Sequence, residues 1–154
     1  MDTKVMFSSK DNTWETPQEF FNEVDKEFGF TLDVCATDDT AKCKDYYTPK
    51  DSAFNYEWEG VCWMNPPYGR GIGSWIQKAH ESAQNGATVI ALLPARTDTK
   101  WFHNYIYNMY EVRYIKGRLK FGGHTNSAPF PSMLVVFKKE SKLKEIWKSI
   151  THQK

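Results

Sequence analysis

The residues with the clearest chemical character form the tetrapeptide Asn65-Pro66-Pro67-Tyr68, which follows a short apolar run. Each proline lacks an N–H, and the residue before a proline is held extended, so this segment forms a stiff corner with free carbonyl oxygens. The Asn65 side-chain oxygen and the Pro66 carbonyl could together accept both hydrogens of a planar amino group. The Tyr68 ring would face the attached heterocycle. The tetrapeptide therefore predicts an amino-group clamp.

Such a clamp would favour attack by the bound nitrogen on an electrophilic methyl group. Accepting both hydrogens localises the nitrogen lone pair and stabilises the positive charge that develops during the attack. A general base is not required, because the amine attacks while neutral and loses its proton to water afterwards. An Asn-Pro turn followed by a structural tyrosine is the alternative, which an isolated Asn-Pro-Pro would favour.

The elements that must position this clamp alternate between strand and helix patterns. The first helix is predicted to begin at Thr16 and Pro17, with Thr16 as the cap and Glu19 completing a capping box. Further apolar patterns predict strands at 30–36, 61–64, 87–94, 111–115 and 132–137, and helices at 73–84, 99–108 and 141–150. This order indicates a mostly parallel sheet with helices on both faces, in which the last two strands pair antiparallel.

Length and composition restrict the class of protein. A chain of 154 residues is expected to form one domain, with residues 1–12 frayed. No apolar run approaches the ~20 residues needed to cross a bilayer, and the N-terminus lacks the pattern of a secretion signal, so we expect a soluble cytoplasmic protein. The three cysteines have no CxxC spacing, which predicts neither a disulfide framework nor a metal site.

Charge is strongly polarised along the chain. Residues 1–59 hold six Lys/Arg and fourteen Asp/Glu, a net charge of −8, whereas residues 60–154 hold fourteen and five, a net charge of +9. Clustered Lys/Arg suits a nucleic acid, because each phosphate contact releases counterions. The alternative is two solvated faces that attract each other or a second subunit, as in a homodimer.

Several segments beside the tetrapeptide resemble the phage-type DNA N6-adenine methyltransferase (Dam) family. They are the Thr-Pro pair at the first helix, "LDVCAT", "LLPARTDTKWFH" and "GRLKF…APFPSMLVVF", and the similarity covers about Trp14 to Phe137. The resemblance implies a single class I, Rossmann-like α/β domain that methylates adenine in DNA from S-adenosylmethionine, in the cytoplasm of a bacterial host cell. It implies that the catalytic residues are Asn65, Pro66, Pro67 and Tyr68. Because only about 28 residues separate Asp33 from Val61, we expect a reduced sheet.

The resemblance also implies a set of cofactor contacts. Thr16 and Pro17 would contact the methionine end of S-adenosylmethionine, although helix capping explains both equally well. Asp33 would accept from its ammonium group, with Cys35 and Ala36 in the same loop. Asp51 would lie at the adenosine end. The alternative for both Asp33 and Asp51 is a structural role in a turn. The segment "DVCATDD" has no glycine, so this loop must differ from the Gly-rich turn of many nucleotide-binding domains.

A target adenine lies inside the duplex, so a methyltransferase must flip it out or act on unpaired DNA. Tyr68 is the first ring expected to hold the flipped base, with Phe121 and Phe130 as candidates for its other face; core packing is their alternative. The 117–132 loop is expected to supply DNA affinity and sequence preference. Histidines 80, 103 and 124 are interpreted as surface or packing residues. The candidate phosphate contacts are Arg70, Arg96, Lys100, Arg113, Lys116, Arg118 and Lys120.

Other functions remain open at this point. The same tetrapeptide occurs in methyltransferases that act on guanine in ribosomal RNA or on glutamine side chains, because all three acceptors present a planar amino group. A non-catalytic nucleic-acid-binding module would fit the missing glycine turn.

Overall fold

The computed structural model describes residues 13–140, 147 and 149–151. The segment expected to fray, 1–12, and most of the predicted closing helix lie outside these described residues. The helices are α1 (Gln18–Phe28), α2 (Ile72–Gln84) and α3 (Lys100–Tyr105), with one 3-10 turn at Ala53–Asn55. The strands are β1 (Leu32–Asp33), β2 (Val61–Met64), β3 (Thr88–Pro94), β4 (Glu111–Tyr114) and β5 (Ser132–Lys138). Within the described part of the chain, no helix has the length and apolar character needed to span a membrane.

The five strands form one sheet in the order β1-β2-β3-β5-β4. β1, β2 and β3 pair in parallel, and β5 lies antiparallel between β3 and β4. Because β4 is antiparallel to β5, it runs in the same direction as the first three strands. The predicted antiparallel pairing of the last two strands is thus confirmed, within a mixed α/β fold.

Helices cover both faces of the sheet. Phe21 of α1 packs edge-on against Trp63 of β2, with ring centroids 5.3 Å apart. The strand register puts Trp63 on the same face as Val136, so the next residue, Phe137, faces the other way. Phe137 packs on Tyr110, whose hydroxyl lies 2.7 Å from His80 of α2. Burial from both sides explains why β3 is an almost unbroken apolar run.

The first strand is shorter than predicted. The pattern at 30–36 suggested a long strand, yet the ladder with β2 includes only Leu32 and Asp33. On its other side Asp33 forms an isolated parallel bridge with Tyr46: Asp33 N donates to Asp45 O at 3.0 Å, and Tyr47 N donates to Asp33 O at 2.9 Å. The chain leaves β2 after Val34, whose N–H still donates to Trp63 O at 3.1 Å, and Ala36 N then donates to Tyr47 O at 2.9 Å.

The start of α1 also differs from the prediction. The helix begins at Gln18 with Pro17 in the N-cap position, and no side chain caps it. The capping box of Thr16 and Glu19 is therefore wrong. Thr16 is buried, and its hydroxyl instead accepts a hydrogen bond from Asn65. The Thr16 hydroxyl oxygen, which the local pattern assigned to capping the helix, therefore bonds to a residue distant in the sequence.

Candidate active site

A cavity of about 450 Å³ opens at the carboxyl ends of β1 and β2. This volume is typical of small-molecule sites, and strand ends are where open α/β sheets bind ligands. Its walls come from the 13–16 segment, the turn after β1, residues 65–67 and residues 122–124 of the 117–132 loop. Segments far apart in the sequence thus meet around one space.

Asn65 lies on the cavity wall, held in one orientation by its neighbours. Its Nδ2 donates to the backbone carbonyl of Trp14 and to Thr16 Oγ1, the latter at 2.9 Å. A carbonyl only accepts, so the amide nitrogen must face Trp14 and the side-chain oxygen must face the other way. That oxygen accepts from the Tyr68 hydroxyl at 3.1 Å. A carbonyl oxygen has two lone pairs, which leaves one for an incoming amino hydrogen.

Tyr68 supports Asn65 rather than offering its ring to a ligand. Only 4% of Tyr68 is exposed, and its hydroxyl shares its single hydrogen between the Asn65 oxygen and the carbonyl oxygen of Leu92, which lies 3.0 Å away. Burial raises the pKa of Tyr68, so the phenol stays a neutral donor. The edges of Phe121 and Phe130 pack against its ring. The expected stacking surface is therefore closed in this structure.

Asp33 presents a buried carboxyl group to the same cavity. Only 2% of the residue is exposed, and its two oxygens accept from Cys35 N at 3.2 Å and Lys42 N at 3.0 Å. Burial raises the pKa of Asp33 to about 6, although both backbone N–H groups oppose the shift. At neutral pH the group is a poorly solvated carboxylate, which suits a cationic part of a ligand.

Three of the other predicted cofactor residues also line the cavity, namely Thr16, Cys35 and Ala36. Burial, with the charge of Asp33, raises the pKa of Cys35 to about 12, so this residue is an unreactive thiol. Within the described residues, no three His, Cys, Asp or Glu side chains are grouped as a metal site.

Pro17 and Asp51 lie elsewhere. Pro17 occupies the N-cap of α1 and is absent from the cavity wall. Asp51 sits in an exposed turn, where one carboxylate oxygen accepts from Thr48 N at 2.8 Å and from Thr48 Oγ1 at 3.0 Å. The turn interpretation therefore describes Asp51, because its side chain is already engaged by its own loop.

The rings expected to hold a flipped base are core residues. Phe121 and Phe130 are 1% and 7% exposed, and both present edges to Trp14, with centroids 5.5 and 5.0 Å away. The core-packing alternative is the one that the structure supports. The half-buried rings at the cavity are instead Trp14 and His124, stacked 4.1 Å apart at 13°.

The sequence pattern assigned no function to Trp14 and only a surface or packing role to His124. Two local signals were available. Trp14 stands two residues before the Thr16-Pro17 pair, and His124 follows Gly122 and Gly123 in the 117–132 loop.

The predicted phosphate contacts fall into four groups. Arg70 and Lys100 are exposed and line a shallow groove of about 500 Å³ beside the start of α2. Arg118 is exposed but donates to Ala128 O at 3.3 Å, which braces its own loop. Arg113 is engaged by Glu27 through two bonds of 2.7 Å. The remaining candidates are exposed: Arg96, Lys116 and Lys120.

The chain is similar to known proteins over most of its length. The family model for DNA N-6-adenine-methyltransferase (Dam) matches residues 2–153. The DNA N-6-adenine-methyltransferase of Haemophilus phage HP1 is 34% identical over 139 residues, which is 84% of this chain and 80% of that protein. The protein of the same name from Escherichia phage T1 is 28% identical over 109 residues, 69% of this chain and 45% of its own length. The chain belongs to the DNA N-6-adenine-methyltransferase (Dam) family.

Proposed function

We propose that this protein transfers a methyl group from S-adenosylmethionine to the exocyclic N6 amino group of adenine in DNA. One observation carries the proposal: the carboxamide of Asn65 and the carboxylate of Asp33 line a single cavity. Membership of the Dam family and the names of the two phage relatives support adenine in DNA as the acceptor. The strand order, with one antiparallel strand in a mostly parallel sheet, supports a reduced Rossmann-like domain.

The residues around the cavity fit S-adenosylmethionine, which when bound supplies an electrophilic methyl group. The buried carboxylate of Asp33 would accept from its ammonium group, because that charge would compensate for the water lost on burial. Thr16 lies just before the N-terminus of α1, where backbone N–H groups favour a carboxylate. Cys35 and Ala36 would form the adjoining wall.

The acceptor amine would be held by Asn65 and Pro66. The second lone pair of the Asn65 oxygen and the carbonyl oxygen of Pro66 would accept its two hydrogens, as the stiff Asn-Pro-Pro corner allows. These acceptors stabilise the positive charge that develops on the nitrogen. Tyr68 keeps the Asn65 oxygen in place by donating to it. The excess proton then passes to water, so no residue of the chain is needed as a base.

The proposal is tested by incubating the protein with labelled S-adenosylmethionine and, in parallel, DNA, RNA or a protein mixture. Nucleoside analysis should place the label in N6-methyladenine from DNA. Label in RNA guanine or in glutamine would contradict the proposal and identify the acceptor instead. Calorimetry with S-adenosylmethionine adds a second test. A folded protein that does not bind it well above micromolar concentrations would be a nucleic-acid-binding module.

A further inference from the structure

We propose that the target adenine stacks on the indole of Trp14, in the place that His124 occupies in this structure. The inference rests on the proposed function and adds to it the surface that holds the base. A flipped base needs such a surface, because it loses its stacking partners in the duplex.

Most aromatic rings near the site are too buried to serve as the stacking surface. The ring of Tyr68 is enclosed, and Phe121 and Phe130 belong to the core. Among the described residues, the aromatic and imidazole rings that line the cavity are Trp14, Trp63 and His124. Trp63 is 1% exposed beneath α1, so Trp14 and His124 are the rings that a ligand can reach.

Trp14 is both close to the clamp and rigidly held. Its backbone carbonyl accepts from Asn65 Nδ2, which puts the residue next to the proposed amine site. The edge-on contacts with Phe121 and Phe130, at 69° and 90°, fix the plane of the indole. One indole face is covered by the His124 ring, 4.1 Å away and nearly parallel. A planar heterocycle could occupy that face in the same way.

The side chain of His124 could rotate away from the indole of Trp14. Within the described part of the chain its ring makes no hydrogen bond, and its main contact is the stack on Trp14. Gly122 is anchored, because its N–H donates to Glu15 O at 2.9 Å and a Cβ there would lie 2.8 Å from Glu15 Oε2. Gly123 has φ +80° and nothing within 4 Å of a Cβ position. Gly123 lies in a turn that the His124 N–H closes by donating to Phe121 O at 3.3 Å, so the ring would leave the indole by rotation of the His124 side chain.

This arrangement predicts opposite effects for the two partners of the stack. Trp14→Leu keeps apolar bulk and the carbonyl contact with Asn65 but removes the stacking face. It should lower kcat/KM for DNA by roughly 5- to 150-fold, the range for one base stacked on one aromatic ring. Trp14→Phe should stay within a few-fold of the wild type. His124→Ala removes a competitor for the face and should leave KM for DNA unchanged or lower.

The variants are compared in steady-state methylation of DNA, with affinity for S-adenosylmethionine and the unfolding temperature measured for each. Trp147→Ala and His103→Ala are matched controls, because both residues are exposed and neither lines the cavity. Wild-type turnover on DNA reports the proposed function, and the comparison of variants reports the stacking site. Unchanged affinity for S-adenosylmethionine in Trp14→Leu, together with the loss for DNA, supports the inference.

Two outcomes would overturn the stacking site while leaving the proposed function intact. One is a loss in His124→Ala as large as that in Trp14→Leu, because the stack would then be structural. The other is wild-type kcat/KM in Trp14→Leu. If Trp14→Leu does not fold, the half-buried His124 still provides a test: a higher KM for DNA in His124→Ala would contradict its role as a cover.

Discussion

At the scale of single residues, Asn65 connects the parts of the site. Its amide nitrogen contacts the 13–16 segment, and its oxygen contacts Tyr68, which in turn reaches Leu92 of β3. These contacts fix which atom of the carboxamide faces each neighbour. The clamp proposed for the acceptor amine therefore depends on an orientation that Tyr68 and two other segments of the chain impose.

Asn65→Ala should lower methyl transfer at least ~100-fold, the scale for removing one group that stabilises charge at a reacting centre. Affinity for S-adenosylmethionine should change only a few-fold, because the carboxamide acts on the amine. The measurements are methylation rate and calorimetry, with the exposed Asn22→Ala as the control. Retained turnover would contradict the clamp, and a large loss of affinity would assign Asn65 to the methyl-donor site.

Asp33 should make the binding of S-adenosylmethionine depend on pH. Its pKa is raised to about 6 by burial, and the ionised form is the one that attracts an ammonium group. Affinity should therefore be highest above this pKa and fall as pH decreases through it, approaching tenfold per pH unit on the acid side. Calorimetry between about pH 5 and pH 7 measures the effect.

Asp33→Asn is the control for this pH dependence. It should bind more weakly at neutral pH and show no step near the pKa of Asp33, because the titrating group is absent. A step of the same size in the variant would mean that another group titrates, and Asp33 would then be a turn residue.

At the scale of elements, the 13–16 segment and the 117–132 loop act as a paired unit across the cavity. Glu15 and Gly122 form an antiparallel bridge, and Trp14 packs on Phe121, His124 and Phe130. The same segment carries Thr16, which bonds to Asn65. The loop expected to contact DNA is thereby joined to the residues expected to contact the methyl donor.

Gly122→Ala should disturb this unit, because the new Cβ would lie 2.8 Å from Glu15 Oε2 and 3.3 Å from Glu15 Cβ. Because the exposed Glu15 carboxylate can rotate aside, the loss of unfolding free energy should lie near the low end of the about 1–3 kcal/mol that forced packing costs. Chemical denaturation should show that loss, and methylation should fall with it. Gly71→Ala is the matched control, since nothing lies within 4 Å of its Cβ position.

A double variant separates this clash from a general effect of the added methyl group. Glu15→Ala removes the carboxylate that the new Cβ meets, so Glu15→Ala/Gly122→Ala should recover most of the lost stability. If the double variant is as unstable as Gly122→Ala alone, the contact with Glu15 is not the cause.

At the scale of the whole molecule, the polarised charge gives the chain two different surfaces. Arg113 and Glu27 join the basic and acidic halves through a two-bond ion pair, which lowers the pKa of Glu27. Arg113 is thus occupied within the fold. Arg70 and Lys100 instead lie together along an open groove that includes Trp101 and Tyr105. This groove is the better candidate for contact with a DNA backbone.

Arg70→Ala/Lys100→Ala should weaken binding to all DNA sequences alike and reduce the magnitude of the salt slope by about 2, because each lost phosphate contact removes about one unit. Fluorescence anisotropy at several salt concentrations measures the slope. Lys26→Ala/Lys50→Ala removes the same charge from exposed sites in the acidic half and should change it little. An unchanged salt slope in Arg70→Ala/Lys100→Ala would favour Arg118 and Lys120 as the phosphate contacts instead.

Local sequence pattern determined most of the secondary structure. Strands β2, β3 and β5 and helix α2 were predicted to within about one residue, because continuous apolar runs and helical spacing reflect burial by immediate neighbours. The Asn-Pro-Pro corner was equally local, since proline restricts the backbone wherever it occurs. The location of Asp33 at a ligand cavity also followed from the sequence, because Asp33 stands at the end of a predicted strand.

Tertiary structure alone decided which side chains meet in the site. Asn65 bonds to Trp14 and Thr16, roughly fifty residues earlier in the chain. Tyr68 turned inward to Leu92, and His124 covered Trp14, although either ring could have been exposed. Such contacts depend on loop closure and on competition among many partners for the same burial, whereas a sequence pattern reports only on neighbours within a few turns of the chain.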